Sequence, residues 1–118
     1  MIGATTKETP ELVAAGNTAG LLFLDEAERI KRESDTLRRQ GVNVQVVVIH
    51  EGATLGANPV GSTPGSPWDG RIRGIVEGLT GTTVDLVIAG HTHRVAYTVI
   101  NGIPVVAPVI EGRTVKTP

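Results

Sequence analysis

The chain contains three histidines, His50, His91 and His93, and each falls where a Val- and Ile-rich run stops. Imidazole is the commonest metal ligand and the side chain best suited to moving protons near neutral pH. Histidines gathered at strand ends therefore point to metal or acid–base chemistry. Two of them belong to Gly90-His91-Thr92-His93. If the backbone stays extended there, both imidazoles leave on one face, with roughly 7 Å between their α-carbons. They then share one ion, or each serves one of two ions about 3.5 to 4 Å apart, the spacing of two-metal hydrolytic sites. Gly90 fits either case, because a missing side chain lets the backbone turn and approach an ion or a phosphate closely. An isolated histidine that closes a core strand is more often a hydrogen-bonded structural residue, but a second strand ending in His-x-His makes His50 a metal-ligand candidate. Glu51 is a weaker addition, since the next residue along a strand points away from the face His50 uses.

The elements that must carry these residues are legible in outline. Val84-Asp85-Leu86-Val87-Ile88-Ala89 lacks polar alternation and reads as a strand buried on both faces, as in parallel sheets covered by helices; open α/β sheets bind ligands at the carboxyl ends of such strands. Val42 to Ile49 is the strand that delivers His50. Between the two, Ser66-Pro67-Trp68-Asp69 has the marks of a helix start, with Ile72, Ile75, Val76 and Leu79 as its buried stripe and Trp68 as a packing residue. Gly70, Gly74 and Gly78 fall four apart, each at a cost of about 1 kcal/mol in helix propensity relative to alanine, so the row is expected to face another element. Residues 51 to 66 form a long Gly-, Ala- and Pro-containing loop, either a surface insertion or a lid.

The flanks complete an α/β pattern. Ile2 to Thr5 reads as a strand with only Met1 ahead of it, so the chain reads as a piece of a larger domain. A short strand is expected at Leu21 to Leu24. Asp25 then caps a helix to Gln40, with Glu26 and Glu28 in its positive first turn, Arg38 and Arg39 in its negative last turn, and Gly41 as the stop. Its apolar stripe is thin, Ala27, Ile30 and Leu37 with Ser34 between, and its charged face reads as solvated. After His93, Val95 to Ile100 and Ile103 to Val109 flank Asn101-Gly102, a strong signal for a type I′ hairpin. Pro104 and Pro108 place the returning strand at an edge or a bend. The order is strand, loop, strand, helix, strand, loop, helix and three strands.

Composition bounds the function. One domain is the expectation for 118 residues, and a single Trp, Tyr and Phe leave its core to aliphatic side chains. A net charge of -1 without a basic run gives no footprint for a nucleic acid polymer. There are no cysteines, which removes disulfides and thiolate ligands. No stretch approaches the ~20 apolar residues of a membrane span, and no signal peptide opens the chain.

Val46-Val47-Val48-Ile49-His50-Glu51-Gly52 followed by Asp85-Leu86-Val87-Ile88-Ala89-Gly90-His91-Thr92-His93 resembles the second half of the calcineurin-like metallophosphoesterase domain, in its bacterial 5′-nucleotidase and 2′,3′-cyclic-nucleotide phosphodiesterase branch. The resemblance runs from Ile2-Gly3-Ala4-Thr5-Thr6 to about Val109. It implies an α/β fragment of a two-sheet αββα sandwich, largely parallel with a closing hairpin, and a single partial domain over residues 1–118. By position, it implies that His50 and His91 hold one divalent ion, zinc, manganese or similar, and that His93 holds a second. It further implies that Gly90 and Thr92 would lie next to the nucleotide or other phosphate ester, which a metal-activated water would attack. It also implies an exported parent, periplasmic, secreted or in the cell wall.

The chain departs from that pattern in what it lacks. The aspartate-x-histidine ligands, the bridging aspartate and the asparagine-histidine pair of the amino half are absent. Three neutral imidazoles without those carboxylates suit one zinc-like ion better than a dinuclear centre. Asp85 does not replace them, because it enters its strand roughly 17 Å before His91. We therefore expect no catalytic residue in this chain and little or no ester hydrolysis. The alternative is a non-catalytic domain that binds one ion or none and serves as a scaffold or interaction module. A half-sandwich is also expected to expose an apolar sheet face and to self-associate through it.

Overall fold

The computed structural model describes residues 1–52, 70–91 and 96–107. The expected Ser66 to Asp69 helix start, the remainder of the 51–66 loop, Thr92, His93 and the chain beyond Ala107 lie outside them.

Five strands, β1 (Ile2–Thr5), β2 (Val46–His50), β3 (Leu86–Ile88), β4 (Ala96–Ile100) and β5 (Ile103–Ala107), form one sheet in the order β1-β2-β3-β5-β4. All neighbours are parallel except the β4/β5 hairpin. Three helices complete the described fold: α1 (Thr9–Leu12), α2 (Glu26–Arg39) and α3 (Arg71–Glu77). The architecture is thus α/β with a mostly parallel mixed sheet.

The side-chain period of two divides the sheet into unlike faces. The register row Ile2, Val47, Val87, Val105 and Thr98 is buried beneath α2 and α3, with Ile30, Ile72, Val76 and Leu79 closing the core. The alternate row Gly3, Val48, Ile88, Val106 and Tyr97 forms the opposite face, where Val48 is 38% and Tyr97 37% exposed. Leu86 and Ile88 are only half-buried. The expectation of a strand buried on both faces therefore fails for β3, since helices cover one side of the sheet among the described residues.

Local signals set α2. Asp25 accepts the Glu28 N–H at 3.0 Å, and Gly41 takes the left-handed turn at φ 83° after the Gln40 cap. Ser34, a gap in the apolar stripe, is fully buried because its hydroxyl donates to Gln45 Oε1 at 2.6 Å while Gln45 Nε2 returns a bond to the Ser34 carbonyl.

Four expectations need correction. Leu21 to Leu24 is not a strand; its apolar run finds no sheet partner among the described residues, and Leu22 is 82% exposed. The described helix α3 begins at Arg71, with Gly70 as its N-cap at φ 115°, so Gly70 lies outside the helical row. Gly78 does approach another helix, as a Cβ there would lie 3.1 Å from the Ala27 Cβ, but one at Gly74 would meet open space. The returning strand β5 is interior, between β3 and β4. Pro104 is tolerated there because Ile100 and Ile103 close the turn, which makes Val99 and Pro104 a non-hydrogen-bonded pair, and β3 pairs only from Val105 onward. Asn101 and Gly102 turn with φ 48° and 82°, as type I′ requires.

Candidate functional site

The carboxyl ends of β2 and β3 are neighbours, because Val46, Val47 and Val48 pair in parallel with Leu86, Val87 and Ile88. Beyond that register, Ala89 N–H donates to the Val106 carbonyl at 2.8 Å and Gly90 N–H donates to the Glu51 carbonyl at 3.0 Å. The pairing is thus carried one residue past β3 on the β5 side and two on the β2 side. At His91 the chain turns, with φ 72°. The left-handed conformation falls on the histidine and not on Gly90, so the extended geometry expected for Gly90 to His93 is broken at its second residue. A non-glycine residue held there is uncommon and costs of order 1 kcal/mol or more.

This turn brings His91 against His50. His91 Nδ1 lies 3.0 Å from His50 Nε2, and the ring centroids are 4.7 Å apart at an interplanar angle of 63°. One imidazole donates and the other accepts, so the contact as drawn contains one proton between two nitrogens. Two nitrogens on a tetrahedral zinc would stand about 3.4 Å apart, given bonds near 2.1 Å, so one ion would reach both only once the rings turned their lone pairs toward it. The separation is compatible with two ligands of one divalent ion. It does not complete a site by itself: among the described residues no group of three His, Cys, Asp or Glu side chains is placed to hold one.

The sequence candidates divide accordingly. His50, exposed at the end of β2, and half-buried His91 come together. Gly90 stands beside them, but its N–H is taken by Glu51. His93 and Thr92 lie outside the described residues. Glu51 does turn away from His50, and its side chain is buried. Asp85 binds the Gln45 backbone N–H at the opposite end of the strands, at 2.8 Å.

Arg71 was not singled out by the sequence. It links three carboxylates: Nε to Glu51 Oε2 at 2.9 Å, Nη2 to Glu26 Oε1 at 2.8 Å and Nη1 to Glu8 Oε1 at 3.4 Å. Glu26, read as part of a solvated helix start, is only 3% exposed. Its Oε1 also accepts the Lys7 N–H at 2.9 Å. Burial works to lower the Arg71 pKa, but the hydrogen bond it donates to Glu51 and the charges of Glu26, Glu51 and Glu8 outweigh it and hold the guanidinium above its ordinary range. The sequence carried no signal for it, because the expected helix start at Ser66 to Asp69 put Arg71 inside the helix with an acid ahead of it; only the described start at Arg71 sets its cation against the positive end of the helix dipole.

A cleft beside the edge strand β1 is lined by that strand, Leu21 to Leu24, and Glu26, Arg29, Ile30 and Glu33 of α2; it includes Thr5, the register partner of His50, but neither histidine. No described helix is long and apolar enough to cross a membrane.

Comparison with known proteins adds a relationship. Cell wall protein Lmo0130 of Listeria monocytogenes is 39% identical over 99 residues, which covers 79% of this chain and 12% of that protein. The snake venom 5′-nucleotidase of Naja atra is 36% identical, over 83% of this chain and 15% of its own length. A 5′-nucleotidase-related protein of Glossina morsitans morsitans is 30% identical, over 83% of this chain and 14% of its own. The matched stretch is similar to a region of proteins named as 5′-nucleotidases and of a cell wall protein. The chain spans 12% to 15% of the length of these curated relatives. No family model and no solved structure matches it.

Proposed function

We propose that this chain supplies the histidine ligands of a divalent-metal-dependent nucleotide phosphohydrolase, of the 5′-nucleotidase or cyclic-nucleotide phosphodiesterase type. The carrying observation is the 3.0 Å approach of His50 Nε2 and His91 Nδ1 at adjacent parallel strand ends. Sequence similarity to venom 5′-nucleotidases supports the substrate class. His50 and His91 hold one ion, and His93 joins them or holds a second. Such an ion, zinc or manganese, supplies Lewis acidity toward the phosphate ester and lowers the pKa of water. The chain's own part is to fix two imidazoles at the carboxyl ends of β2 and β3. The remaining ligands come from a partner segment or a second copy that packs on the apolar sheet face. The parent is exported, in keeping with the names of a cell wall protein and of venom enzymes among the relatives.

The second reading is a single-ion, non-catalytic domain, favoured by the lack of a third ligand among the described residues. Titration of the purified chain with zinc and manganese, beside His91→Ala, tests both. One ion bound in the parent and none in the variant, with background hydrolysis of a nucleotide and of bis-nitrophenyl phosphate, is the expected result. Metal-dependent turnover lost in His91→Ala would show a complete active site; no binding in the parent would remove the ligand assignment.

A further inference from the structure

We infer that Arg71 is a positioning residue that, by clamping Glu51, holds the ends of β2 and β3 so that His50 and His91 meet. The inference rests on the reading of those histidines as a ligand pair. Its geometry is independent of any ion.

The last register pair between β2 and β3 is Val48 with Ile88, and both histidines lie beyond it. Past that point, the Gly90 N–H bond to the Glu51 carbonyl ties the two chains together. The position of Glu51 therefore sets the position of Gly90, and with it the turn at His91. Glu51 is fixed through its side chain: Oε2 takes Arg71 Nε at 2.9 Å and Oε1 accepts the Gly52 N–H at 3.2 Å. Arg71 is fixed in turn by Glu26, which also takes the Lys7 N–H beyond the end of β1. One guanidinium thus joins the end of β2, the chain after β1, the start of α2 and the start of α3.

Charge makes the arrangement directional. Glu26 and Glu51 are 3% and 2% exposed, so either carboxylate without its partner must protonate, draw in water or swing outward. For Glu51, swinging outward moves the backbone that receives Gly90. Lysine is a poor substitute, because a single ammonium lacks the planar fork that meets two carboxylates at once. Glu8 makes the longest contact, at 3.4 Å, and is the most exposed of the three acids.

The test is amide hydrogen exchange and imidazole contacts by NMR on the metal-free chain, followed by zinc titration, for the parent, Arg71→Ala and Glu8→Ala. In Arg71→Ala, Gly90 exchange rises at least tenfold, the His50–His91 ring contact is lost, and Val47 and Val87 amides stay within about twofold of the parent. Zinc affinity then falls by about tenfold, the lower end for residues that orient ligands. Glu8→Ala changes none of these. Unchanged Gly90 protection, a uniform loss of protection across the sheet, or unchanged zinc affinity despite a loosened Gly90 would overturn the inference. If Arg71→Ala does not fold, Arg71→Lys takes its place under the same criteria. A parent that binds no zinc would remove the proposed function and leave the exchange and ring-contact arms to decide the clamp.

Discussion

Asp85 Oδ2 accepts the Gln45 backbone N–H at 2.8 Å, while the Gln45 carbonyl takes the Asp85 N–H at 2.9 Å. This exchange closes the amino ends of β2 and β3, and the Gly90–Glu51 bond closes their carboxyl ends. Gln45 is fully buried, so Asp85→Ala leaves its N–H without the charged acceptor. The expected loss is about 1 to 3 kcal/mol of stability, the range for an orphaned buried donor, measured by urea unfolding. Zinc affinity should stay within a factor of two, because the bond lies at the far end of the strands from the histidines.

The histidine variants should behave in the opposite way. His50 is exposed, and its contact is with another imidazole at the carboxyl end of the sheet. His50→Ala is expected to shift unfolding by less than about 0.5 kcal/mol, as for surface sites in general. It should nevertheless abolish stoichiometric zinc binding, by removing one of two converging nitrogens. Calorimetric titration beside a thermal melt separates the two effects; a variant that still binds zinc as the parent does would remove His50 from the ligand set.

What could be read from the sequence follows from the range of each interaction. The cap at Asp25, the stop at Gly41 and the Asn101-Gly102 turn are set within a few residues and were legible. So was the destination of His50 and His91, because both end apolar strands of one parallel sheet. The interior position of β5 was not, since it depends on which strand pairs with β3 after the hairpin has turned. Glu26 was misread for a similar reason: at a helix start an acid satisfies the dipole by itself, and its partner Arg71 is 45 residues away. Leu21 to Leu24 shows the converse, an apolar run whose strand pairing depends on a neighbour that the sheet does not supply.

The two helical glycines of α3 and its cap offer a matched comparison. Gly74 faces open space within the helix, so Gly74→Ala should gain about 0.5 to 1 kcal/mol from reduced backbone entropy in the unfolded chain. At Gly78 a Cβ would sit 3.1 Å from the Ala27 Cβ and 3.2 Å from the Ile75 carbonyl oxygen, tighter than ordinary packing. One neighbour sits on α2 and the other is the α3 backbone, so Gly78→Ala should cost about 1 kcal/mol, with no helix-interior propensity gain at this C-cap to offset it. Equal shifts in the two melts would mean that α2 and α3 yield at their contact.

The face opposite the helices sets the last prediction. Val48 stands at the second position of the row Gly3, Val48, Ile88, Val106 and Tyr97, with an apolar neighbour on its β3 side. Among the described residues this row is apolar and partly exposed, and the parent is expected to run above its 12.3 kDa monomer mass in light scattering and to bind a dye specific for exposed apolar surface. Val48→Lys places a charge in that row at a side chain already 38% exposed, so it should shift the chain toward monomer and lower dye binding without weakening the buried row beneath. A parent that is monomeric, melts cooperatively and binds no dye would show that the apolar face is covered within the chain itself, and would remove self-association as the route by which missing ligands reach His50 and His91.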